Sequence, residues 1–247
     1  MLPTPVAAQL DPIVFSPGGE EWIEFGPPRE RRRVAFHDYA AIYAVPGLYE
    51  AVFPGALRMC SHVEVVRLYG EVLATLDHDP GQERVFDLGA GNGAGGEQLR
   101  ALGVGGVVGL DLEPAARTAA LRDRPGDYDD YLIGDLGAWP QADLERLRAR
   151  GFTAVLALAA IGVGHIPPAV LDRALGLVGP GGLFGFAVTP ALLPGNADPA
   201  GIDTGYPAYF AELFASRADE LARHTYVHRR QTDGTPHDAV ALVGRLR

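Results

Sequence analysis

The stretch VFDLGAGNGAGG, residues 85–96, sets five glycines behind an apolar run that ends in Asp87. Glycine loses more backbone entropy on folding than any other residue, so such a cluster needs a reason. A glycine-rich turn from strand into helix supplies one: backbone comes close to a ligand, and the helix N–H groups face it. Two patterns overlap here. Gly91-Asn92-Gly93-Ala94-Gly95-Gly96 fits G-x-G-x-x-G, the dinucleotide fingerprint. Asp87-Leu88-Gly89-Ala90-Gly91-Asn92-Gly93 fits acid-apolar-G-x-G-x-G. Asp87 separates the two, because a carboxylate at the strand end repels a pyrophosphate and attracts an ammonium group.

Asp111 ends the next strand-like run and can accept both hydroxyls of a ribose. Asp135 ends the third, in IGDL, where its side chain can take an adenine amino group while the Leu136 N–H donates to the ring. A ligand with an ammonium, a carboxylate and an adenosine fits all three acids. S-adenosylmethionine is such a ligand, its carboxylate suiting the helix N-terminus. Taken singly, each acid could be a helix cap or a solvated side chain. Three at successive strand ends beside one glycine loop make a joint signal.

The elements that position these residues alternate. RVFDL, GVVGLDL, YDDYLIGDL, FTAVLALAA and LFGFAVT read as buried strands. Helices are expected between them, from about Gly95 to Leu102 and over PAARTAALRD, ADLERLRARG and PPAVLDRALGLV. This rhythm implies a mostly parallel sheet with helices on both faces. YPAYFAELFASRADELARH reads as helix. TYVHRRQ and DAVALVGRL flank Asp233-Gly234 as a hairpin that closes one sheet edge. Ser61 and Glu64 form an S-x-x-E box opening a helix to about Leu76. Residues 36–60 are tyrosine-rich and cut into short helices by Pro46 and Pro54. Residues 1–35 carry Pro3, Pro5, Pro12, Pro17, Pro27 and Pro28 and read as an extended arm packed on the body. Within it EEWIEFG could pair as a short strand anchored by Trp22 and Phe25, and Arg29-Glu30-Arg31-Arg32-Arg33 reads as a solvated run.

VFDLGAGNGAGG, VVGLDLEPAA, YLIGDL and VGPGGLFGF together resemble the successive motifs of class I S-adenosylmethionine-dependent methyltransferases, over about residues 36–247. The resemblance implies an α/β fold: a Rossmann-like, doubly wound, seven-stranded, mostly parallel sheet with a C-terminal antiparallel hairpin and an N-terminal helical cap. Together the readings give a proline-rich arm at 1–35, a helical cap at 36–80 and a cofactor-binding domain at 81–247. The resemblance places Tyr43, Asp87, Gly89, Gly91, Asp111, Leu112, Asp135 and Leu136 on S-adenosylmethionine. FHDYAAIYA is similar to the cap pattern Y-D-x-W-A-x-x-Y-D at Tyr39, Ala40 and Tyr43. Ala44 stands where an acid is common, and His37 where Asp is common.

Composition narrows the chemistry further. The formal charge of -10 argues against a nucleic-acid backbone or an anionic membrane as main partner. All 21 basic residues are arginine, which excludes a Schiff-base lysine and a phosphate-loop lysine. Cys60 is the one cysteine and reads as a small buried residue, with no disulfide framework. No pair of side chains has metal-ligand spacing, so no metal centre is expected. MLPTPVAAQLDPIVF lacks the form of a signal peptide and no apolar run spans a bilayer, so a cytoplasmic protein is expected.

Methyl transfer needs an acceptor held in line about 3–3.5 Å from the donor carbon, water excluded, and a base only where the acceptor carries a proton. His165, beyond the fourth strand, and His37, in the cap, are the candidate bases, although either could simply hold its loop. Tyr39, Tyr43 and Tyr49 are candidate ligand contacts or ordinary core. His62 reads as structural, and His224, His228 and His237 as surface residues. A methyltransferase acting on a small-molecule acceptor is the expected function. A methyltransferase-like fold that catalyses a cyclisation or rearrangement, a nicotinamide-dependent oxidoreductase and a pure binding module are the alternatives.

Overall fold

The computed structural model describes residues 10–162, 164–195 and 198–247. Three short strands come first: β1 (Val14–Phe15), β2 (Trp22–Phe25) and β3 (Arg32–Ala35), antiparallel and in that order. The expected extended arm is therefore, from residue 10 on, a small sheet; its residues 1–9 lie outside the described residues. The cause is the alternation in WIEF. Ile23 and Phe25 turn inward and share one core with Phe36, Ile42, Leu48 and Phe53 of the following segment. The arginine run is likewise not merely solvated. Arg32 stands over the Phe25 ring at 4.7 Å and Arg33 over the Trp22 ring at 3.9 Å, covering the sheet's aromatic side.

Helix α1 (Tyr39–Ala44) is capped by Asp38, whose Oδ1 accepts from the Ala41 N–H at 3.0 Å. A short α2 (Leu48–Glu50) runs into one wide turn, Ala51–Ala56, that contains Pro54. Helix α3 (Ser61–Thr75) ends close to the expected place. Its capping box does not form. Cys60 takes the cap position without a side-chain bond, and the buried Ser61 hydroxyl turns to Tyr226 and His228.

The alternating units follow as read: β4 (Arg84–Leu88), α4 (Ala94–Leu102), β5 (Gly106–Asp111), α5 (Pro114–Asp123), β6 (Asp130–Ile133), α6 (Gln141–Arg148), β7 (Ala154–Ala157), α7 (Pro168–Leu175) and β8 (Leu183–Val188). After α8 (Pro199–Ile202) and α9 (Tyr206–Glu212), the long strands β9 (Ala218–Arg230) and β10 (Pro236–Leu246) form the hairpin. The seven strands lie in the order β6-β5-β4-β7-β8-β10-β9, all parallel except at β10 and β9. Within β4 the faces alternate: Phe86 and Leu88 enter one core with α7, and Val85 enters the other with α3 and α4. Both faces are thus buried, as parallel strands require.

One element differs in kind. YPAYFAELFASRADELARH is not one helix; a wide helical turn ends at Arg217 and β9 begins at Ala218. ADELARH is rich in helix formers, but it pairs with β10 from Ala218 opposite Leu246 onward, with one register shift that leaves Leu221 unpaired. Ladder hydrogen bonds and the buried Ala218 outweigh a propensity of only tenths of a kcal/mol per residue. Among the described residues, no helix is long and apolar enough to cross a membrane.

Candidate functional site

The strand order reverses between β4 and β7, so the crevice beyond their C-terminal ends is where an open α/β sheet receives a ligand. The glycine loop forms its floor. Gly89 at φ +75° and Gly91 at φ +54° lie in the left-handed region, which a side chain disfavours. A Cβ on Gly89 would lie 2.4 Å from the Ala160 Cβ, and one on Gly91 would lie 2.9 Å from the Tyr43 hydroxyl. The floor is built for close backbone approach.

Asp87 sits beneath it at 1% exposure. Burial pushes its carboxyl up to about 7 from an ordinary 3.8; the Tyr128 hydroxyl, donating to Oδ2 at 2.7 Å, opposes the rise and the Asp111 charge adds to it. Among the described residues, no arginine or histidine pairs with this carboxylate. The Tyr128 oxygen in turn accepts the Gly96 N–H at 3.0 Å, and Tyr131 donates to the Gly91 carbonyl at 2.5 Å. Sequence reasoning did not find Tyr128 or Tyr131. They stand at and before β6, two strands away, and nothing local marks them.

Asp111 ends β5 with Oδ2 accepting from Gly91 N–H at 2.8 Å and Oδ1 from Glu113 N–H at 2.9 Å; burial raises its carboxyl, against those backbone bonds. Leu112 beside it is 71% exposed and borders the cavity. Asp135 accepts from Gly137 N–H through Oδ1 at 2.8 Å. Leu136 anchors its side chain in the core at 1% exposure. Tyr43 is buried against Tyr39 and Tyr49, and its carbonyl accepts from Arg122 at 3.1 Å, tying the cap to α5.

All eight of these expected positions border a single cavity of about 1000 Å³. That is large for one ligand and leaves room for a donor and an acceptor together. The expected bases His37 and His165 also border it, and burial, then the neighbouring His37, lowers His165. Two histidines read as surface residues do not behave so. His228 and His237 border the cavity, as does His62; only His224 stays exposed on the hairpin. The β9–β10 tip folds back over the cap, where Cys60 N–H donates to the His228 carbonyl at 3.0 Å and Arg230 N–H to the Leu57 carbonyl at 2.6 Å. No local pattern reveals that return. Among the described residues no cluster of His, Cys, Asp or Glu is arranged to hold a metal.

Burial holds His62 at about 4 and His228 at about 3, against an ordinary 6.5. Both are neutral when folded and protonated when unfolded between about pH 4 and 6.5. Stability therefore falls as pH drops through that window, by about 1.4 kcal/mol per pH unit for each ring. Asp87 and Asp111, raised, work in the opposite sense, and His165 and His237, lowered, add to the fall. In urea unfolding from about pH 4.5 to 6.5, His228→Phe is expected to change the slope by about 1.4 kcal/mol per pH unit relative to the native protein, in the direction of less acid destabilisation.

No protein-family model and no curated protein matches the chain. Solved structures do. N-methyltransferase NodS from Bradyrhizobium japonicum, in complex with S-adenosyl-L-homocysteine, aligns over 84% of this chain and 96% of that one, at TM-score 0.56 and 15% identity. A SAM-dependent methyltransferase from Anabaena variabilis covers 76% and 87%, at TM-score 0.53 and 17% identity. Magnesium protoporphyrin IX methyltransferase from Synechocystis, with bound SAM, covers 76% and 80%, at TM-score 0.50 and 16% identity. The chain has the fold of the class I S-adenosylmethionine-dependent methyltransferases.

Proposed function

We propose that the protein is an S-adenosylmethionine-dependent methyltransferase acting on a small-molecule acceptor. The carrying observation is Asp87: a buried carboxylate with no cationic partner among the described residues, under a backbone cradle that side chains would fill. A buried unpaired charge is costly, and a ligand ammonium answers it. The Asp111 oxygens would take the ribose hydroxyls, Asp135 and the Leu136 N–H the adenine, and Leu112 and Tyr43 would cover the nucleoside and the amino-acid end. The bound cofactor supplies an activated methyl group. The chain's part is to orient the acceptor, exclude water and, where the acceptor carries a proton, receive it on His165 or His37. His165, lowered by burial, is neutral at pH 7 and fit to accept.

Calorimetry with S-adenosylhomocysteine and NADH, followed by incubation with methyl-labelled donor and a substrate panel, tests the reading. S-adenosylhomocysteine binding and label in product are expected. NADH binding alone would overturn the cofactor, and turnover without label would favour cyclisation or rearrangement. Tyr128→Phe strips one hydrogen bond from ionised Asp87, so S-adenosylhomocysteine affinity at pH 7 is expected to drop about 2–10-fold, read by the same titration.

A further inference from the structure

Five of the seven histidines border the cavity: His37, His62, His165, His228 and His237. The other two face carboxylates outside it, His78 with Glu83 at 3.2 Å and His224 with Glu64 at 3.8 Å. Among the described residues, no carboxylate lies in ion-pair contact with the cavity five. They arrive from the β3–α1 turn, the first turn of α3, the β7 exit, β9 and β10, so no single element's packing gathers them.

His228 is the ring the fold holds most firmly. Ser61 Oγ, fully buried, lies 2.5 Å from its Nδ1 and 2.5 Å from the Tyr226 hydroxyl. Whichever tautomer the ring takes, this chain of three stays paired and leaves Nε2 without a protein hydrogen bond among the described residues. The charged and titratable neighbours of the ring are Arg229, His237 and His62. Arg229 is already engaged, its two terminal nitrogens on the Glu20 oxygens at 2.5 and 3.0 Å. Glu20 is spent there, and Asp38 is spent capping α1. Phe36 lies 5.9 Å from the Arg229 guanidinium and packs edge-on against Phe53, and both border the cavity with Tyr39 and Met59.

We propose that the His228 end of the cavity is the acceptor subsite, and that it takes a planar, uncharged, hydroxyl-bearing ring such as a phenol or enol, with the hydroxyl on His228 Nε2. The word acceptor rests on the methyltransferase reading above; the binding chemistry does not. A neutral imidazole accepts from a hydroxyl or donates to its oxygen, and aromatic faces take the ring. A cationic amine would meet Arg229 with Glu20 already committed. A ligand with no polar atom at that position would leave Nε2 unpaired in a desolvated place, the situation in which polar sites discriminate most strongly.

The test uses the whole protein, with and without S-adenosylhomocysteine, and three matched probes: 2-naphthol, 2-methylnaphthalene and 2-(aminomethyl)naphthalene. 2-Naphthol is expected to bind about tenfold or more tighter than the other two. It is expected to shift the His228 ring nitrogens in long-range ¹H–¹⁵N spectra. In His228→Phe the preference should fall below about twofold with S-adenosylhomocysteine affinity unchanged, and Ser61→Ala should lie between. Equal binding of the three probes, an unmoved His228 signal, or a preference that survives His228→Phe overturns the proposal. The spectra judge it on the native chain should a variant not fold. Failure of S-adenosylhomocysteine to bind overturns the methyltransferase reading instead, and the probe comparison still decides the subsite.

Discussion

Asp87→Asn is expected to weaken S-adenosylhomocysteine binding by about 10–100-fold at pH 8 while making the free protein more stable. The two effects share one cause. Burial raises the Asp87 carboxyl from 3.8 to about 7, so ionising it costs the fold roughly 4 kcal/mol at pH 8 and above. The sign follows from the direction: a raised group stabilises below its unfolded value and loses that contribution as pH climbs through its folded value. Asn removes the charge and keeps an oxygen for Tyr128, so urea unfolding of the free protein should favour the variant strongly at pH 8 and by less than half as much at pH 5. The ligand reverses the balance, because its ammonium needs the ionised form. Native affinity should therefore fall by about tenfold per pH unit below pH 7, with a proton released on binding, and the variant should show neither effect. Calorimetry in buffers of different ionisation enthalpy reads both. A native affinity flat from pH 5 to 8 would overturn the electrostatic role of Asp87.

The parts of this architecture that were legible in the sequence are those where local pattern and tertiary placement agree. RVFDL and GVVGLDL are buried on both faces, so an uninterrupted apolar run already says strand, and an acid at its end already says crevice. The glycine spacing is read with equal ease, since positive φ leaves few substitutes. What stayed hidden depends on strand order and on the return of the chain. Tyr128 reaches Asp87 only because β6 lies beyond β5, an arrangement that no residue of YDDY announces. Ser61 looked like a helix cap because its spacing to Glu64 is right, yet the β9 partners that claim its hydroxyl are about 165 residues away. ADELARH has helix composition and becomes a strand because β10 offers it a ladder, broken only by the register shift at Leu221. The alternation in WIEF was legible as one short strand, but proline density argued for an extended arm around it and not for a three-stranded sheet. In each of these cases a long-range contact outweighed a correct local preference.

Gly89→Ala should be the most damaging small substitution in the loop, and its two costs can be separated. A Cβ at φ +75° costs about 1–2 kcal/mol of backbone strain whatever surrounds it. The same atom would sit 2.4 Å from the Ala160 Cβ, a contact that no side-chain rotation relieves because both atoms are fixed to backbone. Overpacking of this kind adds about 1–3 kcal/mol. Together the variant should lose about 2–5 kcal/mol in urea unfolding. S-adenosylhomocysteine binding should weaken by more than about 100-fold, because a displacement of about 1 Å at the exits of β4 and β7 misplaces the whole floor. Ala160→Gly in the same chain removes the clash and leaves the strain, so the double variant should recover the larger part of the loss and most of the binding. Gly179→Ala gives the baseline: nothing lies within 4 Å of its Cβ position, and a change within about 0.5 kcal/mol is expected. If Ala160→Gly recovers nothing, the contact between the two strand exits is not what fixes the loop, and the backbone conformation of Gly89 alone must account for the loss.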